Sequence, residues 1–277
     1  MPVPSFARPA TIHAVVSIHW ILIAYVAAFG LIVGSYLNVV IYRLPRRLST
    51  VMPRSRCPRC RAPIRAIDNI PVFSYLVLGG RCRRCGVEIS WRYPAIEALT
   101  AICFVASLEW FGPNLEAVVA AGFCFVMIVL AMIDLEHFIL PDVITLPGIV
   151  LGLALQFWIP WATWQEALVG AAIGAGVLLA VAWGWYWWKG IWGMGLGDVK
   201  MLAMIGAFLG WRGVVVTLFL SSLGGSLVGA LLIVLGRMQL QSKLPFGVFL
   251  ALAAILALFF GDATLDLWFE ASAALLR

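Results

Sequence analysis

The sequence predicts an all-α polytopic membrane protein, with about eight transmembrane helices and a small polar, cysteine-bearing domain between the first two. Three observations carry this. Of 277 residues, 63% are hydrophobic and 12% charged, whereas soluble domains are about 45–50% apolar and about 25% charged. The apolar residues fall in runs near the roughly 20 residues that cross a bilayer core. And 12 of the 19 Lys and Arg crowd into residues 43–92, which makes that stretch cytoplasmic by the positive-inside rule.

The first run, 19–42, exceeds the roughly 7–15 apolar residues of a signal-peptide core and is read as a retained span with the N-terminus outside. Residues 43–93 are the one polar segment large enough to be a small domain. Apolar runs follow at 94–111, 116–134, 143–159, 167–188, 201–210, 213–235 and 246–260. Trp187, Trp188 and Lys189 close the fifth span as an interfacial anchor. Joining 201–235 into one helix would give about 52 Å against a core of about 30 Å. A turn is therefore expected at Gly210-Trp-Arg-Gly213. The tail from Gly261 carries Asp262, Asp266 and Glu270 and reads as an interfacial amphipathic helix.

Eight spans put the loops at 135–141, 190–197 and 237–243 on the cytoplasmic side. Sixteen basic residues then lie inside and three (Arg8, Arg212 and Arg277) outside. The domain organisation expected is 1–42 as N-terminus and first span, 43–93 as cytoplasmic domain, 94–261 as a seven-span bundle and 262–277 as tail. Both termini are expected to lie on the side of the membrane away from the cytoplasm. No internal repeat stands out. The basic stretch would also suit nucleic acid, but flanking spans account for its charge, so the bilayer, not nucleic acid, is the expected partner.

Four of the six cysteines form two Cys-x-x-Cys pairs, Cys57/Cys60 and Cys82/Cys85. Two such knuckles separated by 21 residues read as a tetrahedral Zn²⁺ site with no open position, hence structural. Neighbouring arginines favour thiolates, and a reducing compartment argues against disulfides. A redox role for one pair is the alternative. A segment of about 50 residues has too little core to fold unaided, which gives a metal its purpose. The expected fold is thus a helical bundle with a small cytoplasmic zinc-binding domain held by four cysteines. Cys103 and Cys124 sit singly in apolar runs as packing residues.

Asp134 ends a strongly apolar run, and an ionisable group at membrane depth is a functional candidate; the plain alternative is a helix-end carboxylate that reaches water. Asp198 lies in Gly193-Met-Gly-Leu-Gly-Asp-Val-Lys200, whose glycines allow close approach of a partner helix or a substrate chain. By span count the two aspartates share a membrane face. A close carboxylate pair shares one proton, so that one acts as base on water and the other as acid on a carbonyl. A nucleotide-binding reading of the glycines would need a preceding strand and a βαβ unit, and a Trp-rich apolar span stands there instead. Asp142, after Pro141, reads as a helix N-cap, Glu136 as a loop charge, and Glu97 as a snorkelling or hydrogen-bonded residue one turn into the second span.

Taken in order, these motifs resemble the type IV prepilin peptidases, bifunctional leader peptidases and N-methyltransferases of bacterial pilus and type II secretion systems. The matching blocks are Gly34-Ser-Tyr-Leu-Asn38 through Arg43-Leu-Pro45, Cys57-Pro-x-Cys60, Asp68-Asn-Ile-Pro71, Ser74-Tyr75, Cys82-x-x-Cys85, Ile89-Ser-x-Arg-Tyr-Pro94, Ile133-Asp134, Leu140-Pro-Asp142, Gly195-Leu-Gly-Asp198-Val-Lys200 and Pro245-Phe-Gly247. The resemblance implies an inner-membrane protease of the GxGD type with Asp134 and Asp198 as its catalytic pair. Its substrates would be type IV prepilins and pseudopilins, cut after a glycine that follows a short basic leader. It also implies methylation of the new N-terminus from S-adenosylmethionine, associated with the first block and the cytoplasmic domain. Two rivals come from other classes. A proton-coupled transporter would have no reason for four clustered cysteines and would favour inverted repeats. A secretion scaffold would not need paired carboxylates at a membrane edge.

Overall fold

The computed structural model describes residues 9–190, 194–237, 239 and 244–275, with side chains from 18 to 261 within them. Arg8, Gly193, Lys243 and Arg277, which entered the orientation and glycine arguments, lie outside the described residues. The helices are α1 (Pro9–Arg43), α2 (Phe73–Val77), α3 (Arg92–Phe111), α4 (Leu115–His137), α5 (Asp142–Leu155), α6 (Trp164–Lys189), α7 (Leu196–Val234) and α8 (Phe246–Leu275), with a 3-10 turn at Ala66–Asn69. Five of them are long and apolar enough to cross a membrane: α1 from Ile18, α3, α4, α6 and α7. Asp142–Leu155 and Phe246–Gly261 are shorter apolar helices. The backbone of α8 stays helical beyond Gly261; whether that tail is amphipathic falls outside the described side chains.

An unbroken helix of 39 residues would be about 58 Å long, nearly twice a bilayer core. Gly210 breaks it, with φ 67° and ψ −175°, a conformation essentially reserved for glycine. With α7 counted as two halves, 196–209 and 211–234, the described residues form the eight apolar helices expected, and the turn falls where length required one. Such a break strips hydrogen bonds from the carbonyls just before it, which lipid cannot replace. Gln156 supplies the donor: its Nε2 donates to Ala207 O at 3.0 Å and Phe208 O at 2.8 Å. Its Oε1 accepts from Ala162 N–H at 3.3 Å, and the whole residue is buried.

The chain forms two compact units, residues 1–40 with 49–122 and residues 41–48 with 123–277. In the first, Gly30 and Gly34, one turn apart on α1, pack directly on the α3 backbone at Ala101 and Glu97, the small-residue spacing that lets membrane helices meet. In the second, α4 and α7 supply most of the buried side chains, among them Met127, Leu130 and Ile133 from α4 and Met201, Leu202 and Ile205 from α7. Phe123 packs on Phe208 with ring centroids 5.2 Å apart. α6 begins at a capping box, Thr163 with Glu166, and ends at Gly190 in the left-handed region. Lys189 then lies 4.5 Å over the Trp188 ring, as an interfacial anchor should. Cys103 and Cys124 are buried as expected.

Candidate active site and metal centre

Asp134 lies in the last turn of α4, one of the membrane-length helices. A helix C-terminus is a poor place for a carboxylate, because unpaired carbonyls point at it. The fold offsets this with the opposite end of another helix. Backbone N–H groups of Gly247 and Val248, in the first turn of α8, face the Asp134 carboxylate and favour its charge. Those N–H groups have no partner within their own helix, so the positive end of α8 offsets the negative end of α4. The contact requires glycine at 247: a Cβ there would lie 2.8 Å from Asp134 Oδ2 and 3.0 Å from its Cγ. Asp134 is only 6% exposed, yet Oδ2 has no hydrogen-bond partner among the described residues. An unpaired buried carboxylate oxygen costs about 1–3 kcal/mol or more and calls for an explanation in chemistry.

Asp198 is the third residue of α7, at the end of that helix which favours negative charge. Its N–H donates to Gly195 O at 3.3 Å. A cleft of about 250 Å³ is lined by Asp134 and Asp198 together with Asp142, Phe138, Leu140 and Gly195. The two aspartates singled out in the sequence therefore face one space. Leu140 fits between both glycine motifs: a Cβ at Gly197 would come 2.9 Å from its Cβ, and one at Gly247 3.2 Å from its Cδ1. At Gly195 an added Cβ would meet nothing nearer than 3.9 Å, namely Asp198 Oδ2 and Gly197 N. Of the two glycines, 197 thus makes room for Leu140 of the loop between α4 and α5, while 195 leaves the cleft open.

Two readings of the acids need correction. Asp142 is not the N-cap of α5; Pro141 holds that position and Asp142 is the first helical residue. Its carboxylate pairs with Lys200 of α7 instead, at 2.7 and 2.8 Å. Glu136 is not a loop charge; it sits in the last turn of α4, 3.9 Å from His137 Nε2. Glu97 is buried and hydrogen-bonded as expected: its Oε2 accepts from Val72 N–H at 2.7 Å, and Ser35 also bonds the carboxylate. It thereby holds Val72, which has φ 57°, a costly conformation for a β-branched residue.

The four paired cysteines converge. Their sulfurs all lie within 4.8 Å of one another, and Cys57 Sγ is 3.8 Å from Cys85 Sγ. Sulfurs at about 2.3 Å around a tetrahedral ion would be about 3.8 Å apart, so the cluster fits one. The two knuckles are copies offset by 25 residues, which overturns the expectation of no internal repeat. Cys57 N–H donates to Ala62 O and Arg61 N–H to Cys57 O; Cys82 N–H donates to Val87 O and Gly86 N–H to Cys82 O. Ile64 and Ile89 bond Ser55 O and Gly80 O in the same way. Isolated bridges Arg56 to Pro63 and Arg81 to Glu88 repeat the match. The position after each second cysteine is left-handed, Arg61 at φ 54° and Gly86 at φ 68°. Crowding splits the thiols. The Cys60 backbone N–H leads in lowering Cys57 to about 6. At Cys85 the Val87 N–H pulls down, but desolvation and bonds to the other three thiols outweigh it and hold it at about 11. Asp68 braces the second knuckle through Arg83, whose Nε lies 2.9 and 3.1 Å from the two carboxylate oxygens.

Residues 28–111 match the bacterial peptidase A24 N-terminal domain, and residues 121–230 match the type IV leader peptidase family. A relative from Burkholderia pseudomallei (strain 1026b), named a prepilin leader peptidase/N-methyltransferase, is 36% identical over 86% of this chain and 85% of its own length. Relatives of the same name are 38% identical in Aeromonas salmonicida (strain A449), over 88% of this chain and 92% of theirs, and 37% identical in Pseudomonas aeruginosa, over 84% and 88%. No solved structure matches the chain.

Proposed function

Because the chain belongs to the type IV leader peptidase family, we propose that it is a membrane-embedded aspartic endopeptidase that removes basic leaders from type IV prepilins and pseudopilins and methylates the new N-terminus. The observation that supports this most is the cleft shared by Asp134 and Asp198. Neighbouring carboxylates hold one proton between them. The ionised one takes a proton from water as the oxygen attacks the scissile carbonyl; the protonated one gives its proton to the carbonyl oxygen. Collapse of the tetrahedral intermediate then expels the amine, which leaves with a proton returned from the dyad. Both aspartates stand at helix ends, so the bond cut lies at a membrane face. The basic segment argues that this face is cytoplasmic, with both chain termini on the periplasmic side of a bacterial inner membrane.

Cys57, Cys60, Cys82 and Cys85 are the proposed ligands of one structural Zn²⁺, which stabilises a cytoplasmic segment, residues 43–93, distinct from the protease bundle. S-adenosylmethionine, when bound, supplies the methyl group. Methylation needs a free α-amine and therefore follows cleavage. The test is purified protein incubated with a prepilin. Leader loss with the wild type and none with Asp134→Asn or Asp198→Asn supports the dyad; near-normal cleavage by either variant removes that residue from it. A transporter or scaffold would leave the prepilin intact.

A further inference from the structure

Three of the cleft's lining residues are carboxylates, Asp134, Asp142 and Asp198, and none is a cation. This is a local reversal in a chain of net charge +6. The rest of the lining is apolar or glycine, namely Phe138, Ile139, Leu140, Gly195 and Gly197, so the three carboxylates set the charge of the cleft. Asp142 differs from the other two. Its side chain is 56% exposed, and both its oxygens are engaged by Lys200, whose own side chain is 32% exposed. Partly exposed ion pairs contribute little to stability, so one cation can replace another at Asp142 at small cost. Lys suits such an exchange, being a flexible, hydrated point charge with no fixed fork to the carboxylate.

We propose that Asp142 reads the basic leader: a Lys or Arg side chain of the substrate displaces Lys200 from the Asp142 carboxylate and sets the scissile bond over Asp134 and Asp198. This rests on the leader-peptidase reading above. Lys200 is then an internal competitor that keeps Asp142 neutralised while the cleft is empty. Leaders lacking the charge do not repay the exchange and are bound less well.

The experiment measures kcat/KM in detergent for two prepilins, one with its leader Lys and Arg intact and one with them changed to Gln. Asp142→Asn should depress the basic substrate about two- to fivefold more than the neutral one, the scale of a partly exposed ion pair. Lys200→Gln should do the reverse, lowering KM for the basic substrate by a similar factor relative to the neutral one. Equal factors on both substrates would make the pair a structural clasp between α5 and α7 and overturn the proposal. If Asp142→Asn does not accumulate, the Lys200→Gln ratio decides by the same criterion. A wild type that cleaves neither prepilin would instead refute the peptidase reading itself.

Discussion

Gly247→Ala isolates the placement of the Asp134 carboxylate. The added methyl carbon would lie 2.8 Å from Asp134 Oδ2 and 3.0 Å from Cγ, where ordinary contact begins at 3.4 Å. One side must therefore give by about 0.6 Å. The methyl is fixed to the helix backbone, so the carboxylate moves, away from the N–H groups of Gly247 and Val248 that face it. Catalytic groups tolerate about 0.5 Å of error, and about 1 Å can cost 10²-fold. A loss of roughly 10- to 100-fold in kcat is expected, with little change in KM. Stability should not follow. Alanine is favoured over glycine in helices by about 0.8–1.0 kcal/mol, and position 247 is not among those with positive φ. The assay pairs prepilin cleavage with thermal unfolding in detergent. A variant that cleaves at the wild-type rate would refute the claim that Gly247 exists to seat the carboxylate. A rate loss explained wholly by unfolding would refute it too.

The remaining predictions concern other parts of the molecule. Elemental analysis should find about one zinc per chain, lost in Cys57→Ser or Cys82→Ser, since each removes one of four thiolates; carefully purified wild type without metal would contradict this. Gln156→Leu should lower stability by roughly 1–3 kcal/mol, seen as a lower unfolding midpoint, because the Ala207 and Phe208 carbonyls lose their donor in an apolar setting; an unchanged midpoint would mean that α7 repairs its own break. The two activities should separate. Cys60→Ser should reduce methylation more than cleavage, whereas Asp198→Asn should stop both on uncut prepilin yet spare methylation of pilin supplied already cut, read by gel for leader loss and by mass for methyl transfer.

The apolar runs gave the helices because bilayer thickness fixes their length, and the same constraint located the break at Gly210. That Asp134 and Asp198 would face one space was legible because charge at membrane depth is costly, and that the four cysteines would converge was legible because metal geometry favours their spacing. What escaped was pairing across distance in the chain. Nothing local to Gln156 says that it serves carbonyls more than 50 residues away. Asp142 after a proline has the local marks of an N-cap, and only the approach of α7 turns it toward Lys200. Leu140 looks like one apolar residue among many until Gly197 and Gly247 close around it. The knuckle repeat was visible as Arg-Cys-x-Arg-Cys-x-x-x-Ile at 56–64 and 81–89. It is too short to register against helical periodicity, and its backbone pattern is what establishes it.

The most direct test of the central claim is the N-terminal mass of a prepilin co-expressed with this chain. With the wild type, the account predicts a pilin that has lost its leader after glycine and carries one added methyl group. With Asp134→Asn or Asp198→Asn, inserted in the membrane at normal level, it predicts the full-length prepilin, unmethylated. Intact prepilin beside the wild type, or a leaderless pilin beside either variant, would contradict it.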